Sequence, residues 1–145
     1  MERPMTLEQT LAIIKPDAVE RNLIGNIISR LEDKGFQIIA MKMLHLNQEQ
    51  AEGFYTEHSD KAFFAELIRY MTSAPIVVLV LQKENAVKDY RTFMGTTNPE
   101  IAENGTLRYE FAINQTQNSV HGSDSLENAQ REIAYFFAEA EIYAR

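Results

Sequence analysis

The run Asn118-Ser119-Val120-His121-Gly122-Ser123-Asp124-Ser125 sets one imidazole between an amide and a hydroxyl–carboxylate pair, directly ahead of an amphipathic stretch. Leu126, Ala129, Ile133, Phe136 and Phe137 recur there at helical spacing, with Ser125 placed as a cap and Glu132 in the body of the helix. A neutral imidazole is a good nucleophile near pH 7. The free backbone amides of a helix start attract anions. These residue types at this spacing suit His121 to accepting a phosphoryl group. Taken alone, a histidine in a Gly-Ser loop is more often a turn residue, so the reading needs partners elsewhere in the chain.

Phosphate-handling chains usually declare themselves through glycine. The six glycines here, at 25, 35, 53, 95, 105 and 122, form neither a GxGxxG nor a GxxxxGK run. Side chains, with Mg²⁺, must then hold any phosphate. Lys15 at a strand end, Arg91 on a helix and Arg108 in a long loop are the candidates, arginine offering a planar fork and lysine a point charge. Tyr55 and Phe63 flank the polar loop Glu57-His58-Ser59-Asp60-Lys61 and would form a platform for a nucleobase. Phe63 and Phe64 point about 100° apart on a helix, so one can be core while the other faces a cleft. His45 and His58 have no acidic or histidine partners at metal-ligand spacing and read as structural.

The elements that must position these groups follow from periodicity. Thr10–Ile14 reads as a strand ended by Lys15-Pro16-Asp17, and Leu23, Ile24, Ile27, Ile28 and Leu31 make a helical stripe closed near Gly35. Phe36–Leu46 reads as a second strand, Gln48–Tyr55 and Phe63–Met71 as a helical pair, and Asn85–Met94 as a further helix. Ile76–Leu81 has the β-branched content of a buried central strand. Gly95–Gln117 shows no clean period and reads as a long functional loop, before a short strand into His121 and the closing helix. The order β-α-β-α-α-β-α-loop-β-α predicts an α+β domain of split β-α-β topology. It is expected to span residues 1–145, with 1–9 a short N-terminal extension.

Composition narrows the function. The chain has 145 residues, 45% hydrophobic and 24% charged, within the range of one ordinary globular domain. A net charge of −7 argues against a general nucleic-acid or membrane-surface binder. The absence of cysteine leaves no disulfide or thiolate metal site and fits a cytoplasmic location. The longest aliphatic run, Ile76–Leu81, is six residues, far short of a membrane span, and Met1–Gln9 shows no signal peptide.

The run from Asn118 to Asp124 resembles the N-x-x-H-G-S-D motif of nucleoside diphosphate kinases. Ile14-Lys15-Pro16-Asp17, Phe63-Phe64, Met71-Thr72-Ser73-Ala74-Pro75, Gly95-Thr96-Thr97-Asn98-Pro99 and Gly105-Thr106-Leu107-Arg108 fall in that family's order, covering the chain from about Thr10 onwards. The resemblance implies a ferredoxin-like α+β fold, a four-stranded antiparallel sheet with helices on its faces. It also implies ping-pong transfer of the γ-phosphoryl group from nucleoside triphosphates to diphosphates through a phosphohistidine at His121. Glu132 and Ser123 would orient the ring, and Tyr55, Arg91, Thr97 and Arg108 would contact the phosphates. Lys15 and Asn118 would hold the sugar hydroxyl and the transferred group, while Phe63 stacks on the base and Leu67 packs beside it. Mg²⁺ would travel with the nucleotide, near Asp124. Stacking implies broad base tolerance. The family is oligomeric, and the ending Glu141-Ile142-Tyr143-Ala144-Arg145 resembles the shorter bacterial form, which favours a tetramer over a hexamer or a dimer.

Three positions depart from the family's pattern. Ala62 stands in place of a proline before the Phe pair, Glu110 in place of an aspartate after the loop arginine, and Gln115 in place of an aliphatic residue against the other face of the base. The nearest alternative function is a phosphohistidine carrier in a protein phosphorelay, which would leave Lys15, Phe63, Arg91 and Arg108 without a joint role. Phosphorylation at His121 should fail as pH drops below the ordinary histidine value of about 6.5. A polar Gln115 is expected to raise KM more than it lowers kcat. Gln115→Ile should therefore lower KM in steady-state assays with several bases, and unchanged KM values for all of them would contradict this.

Overall fold

A computed structural model describes residues 7–145. The aliphatic run lies in β3 (Ile76–Glu84), whose residues from Ile76 to Gln82 are all buried, so neighbours must cover both of its faces. β1 (Leu7–Ile14) pairs with it antiparallel along its whole length, from Leu7 opposite Glu84 to Ile14 opposite Val77. β2 (Gln37–Leu44) pairs antiparallel with the other edge of β3, with an irregularity between Ile38 and Ala40. β4 (Val120–Gly122) pairs antiparallel with β1, placing His121 opposite Ile13. The strand order is β2-β3-β1-β4.

Alternation along the strands divides the core into two layers. Leu11, Ile13, Val78 and Val80 face Phe54, Met71 and Phe136, from α3 (Gln48–Phe54), α4 (Phe64–Met71) and α7 (Leu126–Phe136). Ala12, Ile14, Val77, Leu79 and Leu81 face Ile27, Leu31, Tyr90 and Phe93, from α2 (Ile24–Asp33) and α5 (Ala86–Met94). This antiparallel sheet with helices on both faces matches the expected ferredoxin-like α+β arrangement. Local chemistry sets the helix ends. Asn47 and Gln50 form a reciprocal capping box, with bonds of 2.8 and 2.9 Å, where α3 starts. Gly35, at φ +88°, takes the left-handed position that stops α2.

Three expectations need correction. β1 starts at Leu7 rather than Thr10, because β3 runs on to Glu84 and supplies partners for Leu7, Glu8 and Gln9. Residues 7–9 are thus strand, while 1–6 lie outside the described residues. A short helix α1 (Pro16–Glu20) follows β1 directly, with Pro16 in its first turn, where its missing N–H costs nothing. The stretch from Gly95 to Gln117 is interrupted by α6 (Leu107–Phe111), capped by the Thr106 hydroxyl accepting the Tyr109 N–H at 3.3 Å. Both helices have five residues, too few to leave a periodic stripe. Among the described residues no helix is long and apolar enough to cross a membrane.

The sheet and α5 meet closely at Gly122. A Cβ there would lie 2.6 Å from Tyr90 Cδ2 and 2.8 Å from Met94 Cε, both on buried side chains. Gly122→Ala should destabilise the fold by about 1–3 kcal/mol, the usual cost of overpacking. It should lower the urea midpoint at constant m-value, and an unchanged midpoint would show that Tyr90 and Met94 move aside freely.

Candidate active site

In β4, Val120 belongs to the α2/α5 layer and Gly122 meets Tyr90, so alternation turns His121 to the α3/α4/α7 layer. Its ring lies edge-on to Phe54 and Tyr55, with centroids 5.4 and 6.3 Å away. Nε2 is 2.8 Å from Glu132 Oε1, one α-helical side chain reaching back from α7. The Ser123 hydroxyl donates to the same oxygen at 2.9 Å and accepts the Leu11 N–H at 3.3 Å. A carboxylate only accepts, so Nε2 carries the hydrogen and Nδ1 keeps its lone pair. Burial pushes the imidazole below its ordinary value of 6.5, reinforced by the charges of Lys15 and Arg108 and opposed by Glu132.

His121 lines a cavity of about 550 Å³. Lys15 enters it from the junction of β1 and α1, where the following proline holds it extended. Its Nζ donates to Asn118 Oδ1 at 2.9 Å, and Asn118 Nδ2 donates to the Gln115 carbonyl at 2.9 Å. Burial, with repulsion from Arg108, brings Lys15 down to about 7, against the pull of Asp17. Arg108, in α6, donates to the carbonyls of Gly95 at 3.0 Å and Val120 at 2.8 Å. Its Nε and the hydroxyl of Tyr55 are buried without a hydrogen-bond partner. Two unpaired buried donors beside Lys15 fit a bound anion, since each costs about 1–3 kcal/mol when unmet. Arg91 reaches the same cavity from α5, and Asp124 stands at its wall, kept ionised by the Asn128 amide 2.5 Å away.

Phe63, half-exposed, also lines the cavity while Phe64 packs into the core, and Leu67, Gln115 and Thr116 line it too. Thr97 also lines the cavity. All the sequence-selected residues therefore meet in one place, except Ser123, which stands behind Glu132. The start of α7, anticipated as an anion attractor, does not itself line the cavity. Ser125 accepts the Asn128 N–H, and neither it nor Leu126 lines the cavity; Lys15, Arg91 and Arg108 provide the positive charge. His58, read as structural, forms part of the wall with its ring 6.0 Å from Phe63, and Glu57 and Glu66 join it. Its place between Tyr55 and Phe63 was the available signal. His45 stands apart, with Nε2 2.7 Å from the Thr72 carbonyl.

Two of the departures acquire a setting. Glu110 lies in α6 and pairs with Arg30 of α2, which also donates to the Gly105 carbonyl at 3.0 Å, so the longer carboxylate ties α6 to its neighbour. Ala62 lies in an exposed turn before α4. Among the described residues no three His, Cys, Asp or Glu side chains converge as a metal-ligand set.

Comparison with known proteins extends this picture. The family model described as nucleoside diphosphate kinase matches residues 8–142. The chain is 96% identical over 141 residues to a nucleoside diphosphate kinase of Histophilus somni (strain 2336), covering 97% of this chain and 100% of that one. It is 66% identical over 139 residues to that of Pasteurella multocida (strain Pm70), covering 96% and 100%. The Aquifex aeolicus nucleoside diphosphate kinase crystal structure superposes with a TM-score of 0.92 at 41% identity, covering 94% of this chain and 99% of the other. A halophilic nucleoside diphosphate kinase from Halobacterium salinarum in complex with CDP gives 0.91 at 37% identity, covering 95% and 92%.

The ring's setting has a measurable consequence. Because burial disfavours the imidazolium, Nδ1 stays unprotonated to a lower pH than in a free histidine. An NMR titration should place the His121 midpoint below 6.5 with the hydrogen on Nε2, and a midpoint above 6.5 would mean that Glu132 outweighs burial.

Proposed function

The chain belongs to the nucleoside diphosphate kinase family and transfers phosphoryl groups between nucleotides, and from that premise we propose that transfer runs through a phosphohistidine at His121. The observation that carries the proposal is the hydrogen bond from Nε2 to Glu132, which leaves Nδ1 as the free nitrogen of a ring lining an anion-suited cavity. In the first half-reaction Nδ1 attacks the γ-phosphorus of a nucleoside triphosphate, the bond to the β-phosphate oxygen breaks, and the diphosphate leaves. In the second, a β-phosphate oxygen of another diphosphate attacks that phosphorus, the N–P bond breaks, and the ring returns to its starting state.

Transition-state charge spreads over phosphoryl oxygens, so positioned donors do most of the catalysis. Arg91, Arg108, Tyr55 and Thr97 contact the phosphates in this reading, and the unpaired Arg108 Nε and Tyr55 hydroxyl support it. Lys15 and Asn118, already bonded to each other, hold the sugar hydroxyl and the transferred group. Glu132 and Ser123 orient the ring and stabilise its positive charge as the bond forms. Phe63 stacks on the base with Leu67 beside it, a mode that tolerates every base.

The family works with a divalent cation, and we assign Mg²⁺. A cation of this kind binds through one or two carboxylates plus substrate phosphates, a demand that the ionised Asp124 beside the cavity fits. When bound it neutralises charge on the phosphate oxygens. We propose further that residues 1–145 form one catalytic domain, acting in the cytoplasm as a homo-oligomer, a tetramer before a hexamer or a dimer. The exposed Met41 and Met43 on the edge strand β2 support burial against another copy, and the cysteine-free composition suits a reducing compartment.

Intact mass after brief exposure to ATP and Mg²⁺ should show one acid-labile phosphoryl group, absent in His121→Ala and passed to added GDP as GTP. A stable group that no diphosphate removes would favour the phosphorelay carrier, and phosphorylation of His121→Ala would place the nucleophile elsewhere.

A further inference from the structure

Asp17 lines no part of the cavity, and no role above uses it, yet its buried carboxylate accepts four hydrogen bonds. We infer that Asp17 is a positioning residue for phosphoryl transfer, holding Ser119 in a strained turn that sets where Asn118 and His121 stand. The inference rests on His121 as the nucleophile.

Ser119 has φ +72°, a conformation that side chains larger than glycine's resist. The Val120 N–H closes onto the Asn118 carbonyl at 2.9 Å, making a three-residue γ-turn of the hand that requires positive φ, the rarer and more strained kind. Strain of this sort persists only where the surroundings over-determine it. Here they do. The Lys15 N–H donates to the Ser119 carbonyl at 2.9 Å. The Ser119 N–H donates to Asp17 Oδ1 at 3.2 Å, and the Ser119 hydroxyl to Asp17 Oδ2 at 2.7 Å. Arg21 braces the carboxylate, its Nη2 lying 2.7 Å from Asp17 Oδ2 and 2.6 Å from the Phe111 carbonyl at the end of α6. The Tyr70 hydroxyl of α4 donates to Asp17 Oδ1.

The turn sits between two fixed points. Before it, Asn118 grips Lys15; after it, Val120 and His121 lock into register with Ile14 and Ile13. A relaxed Ser119 would shift one of these against the other, and misplacement by about an ångström is enough to slow a positioned reaction by orders of magnitude. Phe63, Arg91 and Thr97 do not depend on the turn whereas Asn118 does, so kcat should change more than KM.

The test compares Asp17→Asn, Ser119→Ala, Ser119→Gly and the double variant Asp17→Asn/Ser119→Gly, each by steady-state kinetics with ATP and a nucleoside diphosphate and by thermal melting. Asp17→Asn is expected to lower kcat about tenfold, the scale of one strained residue's relaxation, with a smaller change in KM. Adding Ser119→Gly should restore most of that loss, because glycine takes positive φ without strain. Wild-type kcat in Asp17→Asn, or a double variant no better than Asp17→Asn, would overturn the inference. Should Asp17→Asn fail to fold, the double variant decides against Ser119→Gly: with glycine at 119 the turn no longer needs Asp17, so the two must fold with similar kcat, and a large deficit or failure to fold in the double variant would overturn the inference. Intact mass of the wild type with ATP runs in parallel. A wild type that gains no phosphoryl group sinks the phosphohistidine reading and this inference with it, whereas a phosphorylated wild type with the wrong order among the variants sinks this inference alone.

Discussion

The backbone ladder of β1 is the constraint to which the rest of the site is referred. Its full-length pairing with β3 fixes one edge, and its short pairing with β4 puts His121 opposite Ile13. Leu11 bonds the Ser123 hydroxyl, which in turn holds Glu132, and the strand's exit delivers Lys15. The imidazole, the carboxylate that orients it and the buried ammonium therefore share one frame. β1 itself is immobilised by burial on both faces, with Leu11 and Ile13 in one layer and Ala12 and Ile14 in the other. Core packing and site geometry are the same set of contacts seen from two sides.

Electrostatically, the cavity concentrates cations that the fold cannot satisfy by itself. Arg108 has two of its donors on backbone carbonyls and one unpaired, which fixes the plane of the guanidinium before any ligand arrives. Burial weakens the charged forms of both Lys15 and His121, and the neighbouring cations add to it, Arg108 acting on both groups and Lys15 on His121. In the proposed reaction an incoming polyphosphate reverses that balance by supplying the missing negative charge. Donors arranged in advance in this way lose little to reorganisation as the phosphoryl group moves.

Much of this was legible in the sequence, for identifiable reasons. Ile76–Leu81 reads as a central strand because double burial removes polar residues from both faces. Ser125 reads as a cap because a hydroxyl before an amphipathic run has one obvious partner, the Asn128 N–H. The closeness of Lys15, Arg91 and Arg108 has no local signature. It arises only when the sheet order brings the end of β1 beside α5 and α6, and here the ordered motif matches carried the reading that spacing could not. His58 was missed because its chemistry depends on the neighbours that a 3₁₀ turn gives it. The α6 helix was missed because five residues carry no period.

The strand that bears His121 is also an edge of the sheet. A sheet edge ordinarily presents unpaired backbone groups that can recruit a strand from another molecule. β4 has three residues and gives way to α7 soon after Gly122, and Val120 already spends its carbonyl on Arg108 and its N–H on the Asn118 carbonyl, so almost no row is left to template such a partner. The short strand that carries the proposed nucleophile is thereby guarded against aggregating through its own edge.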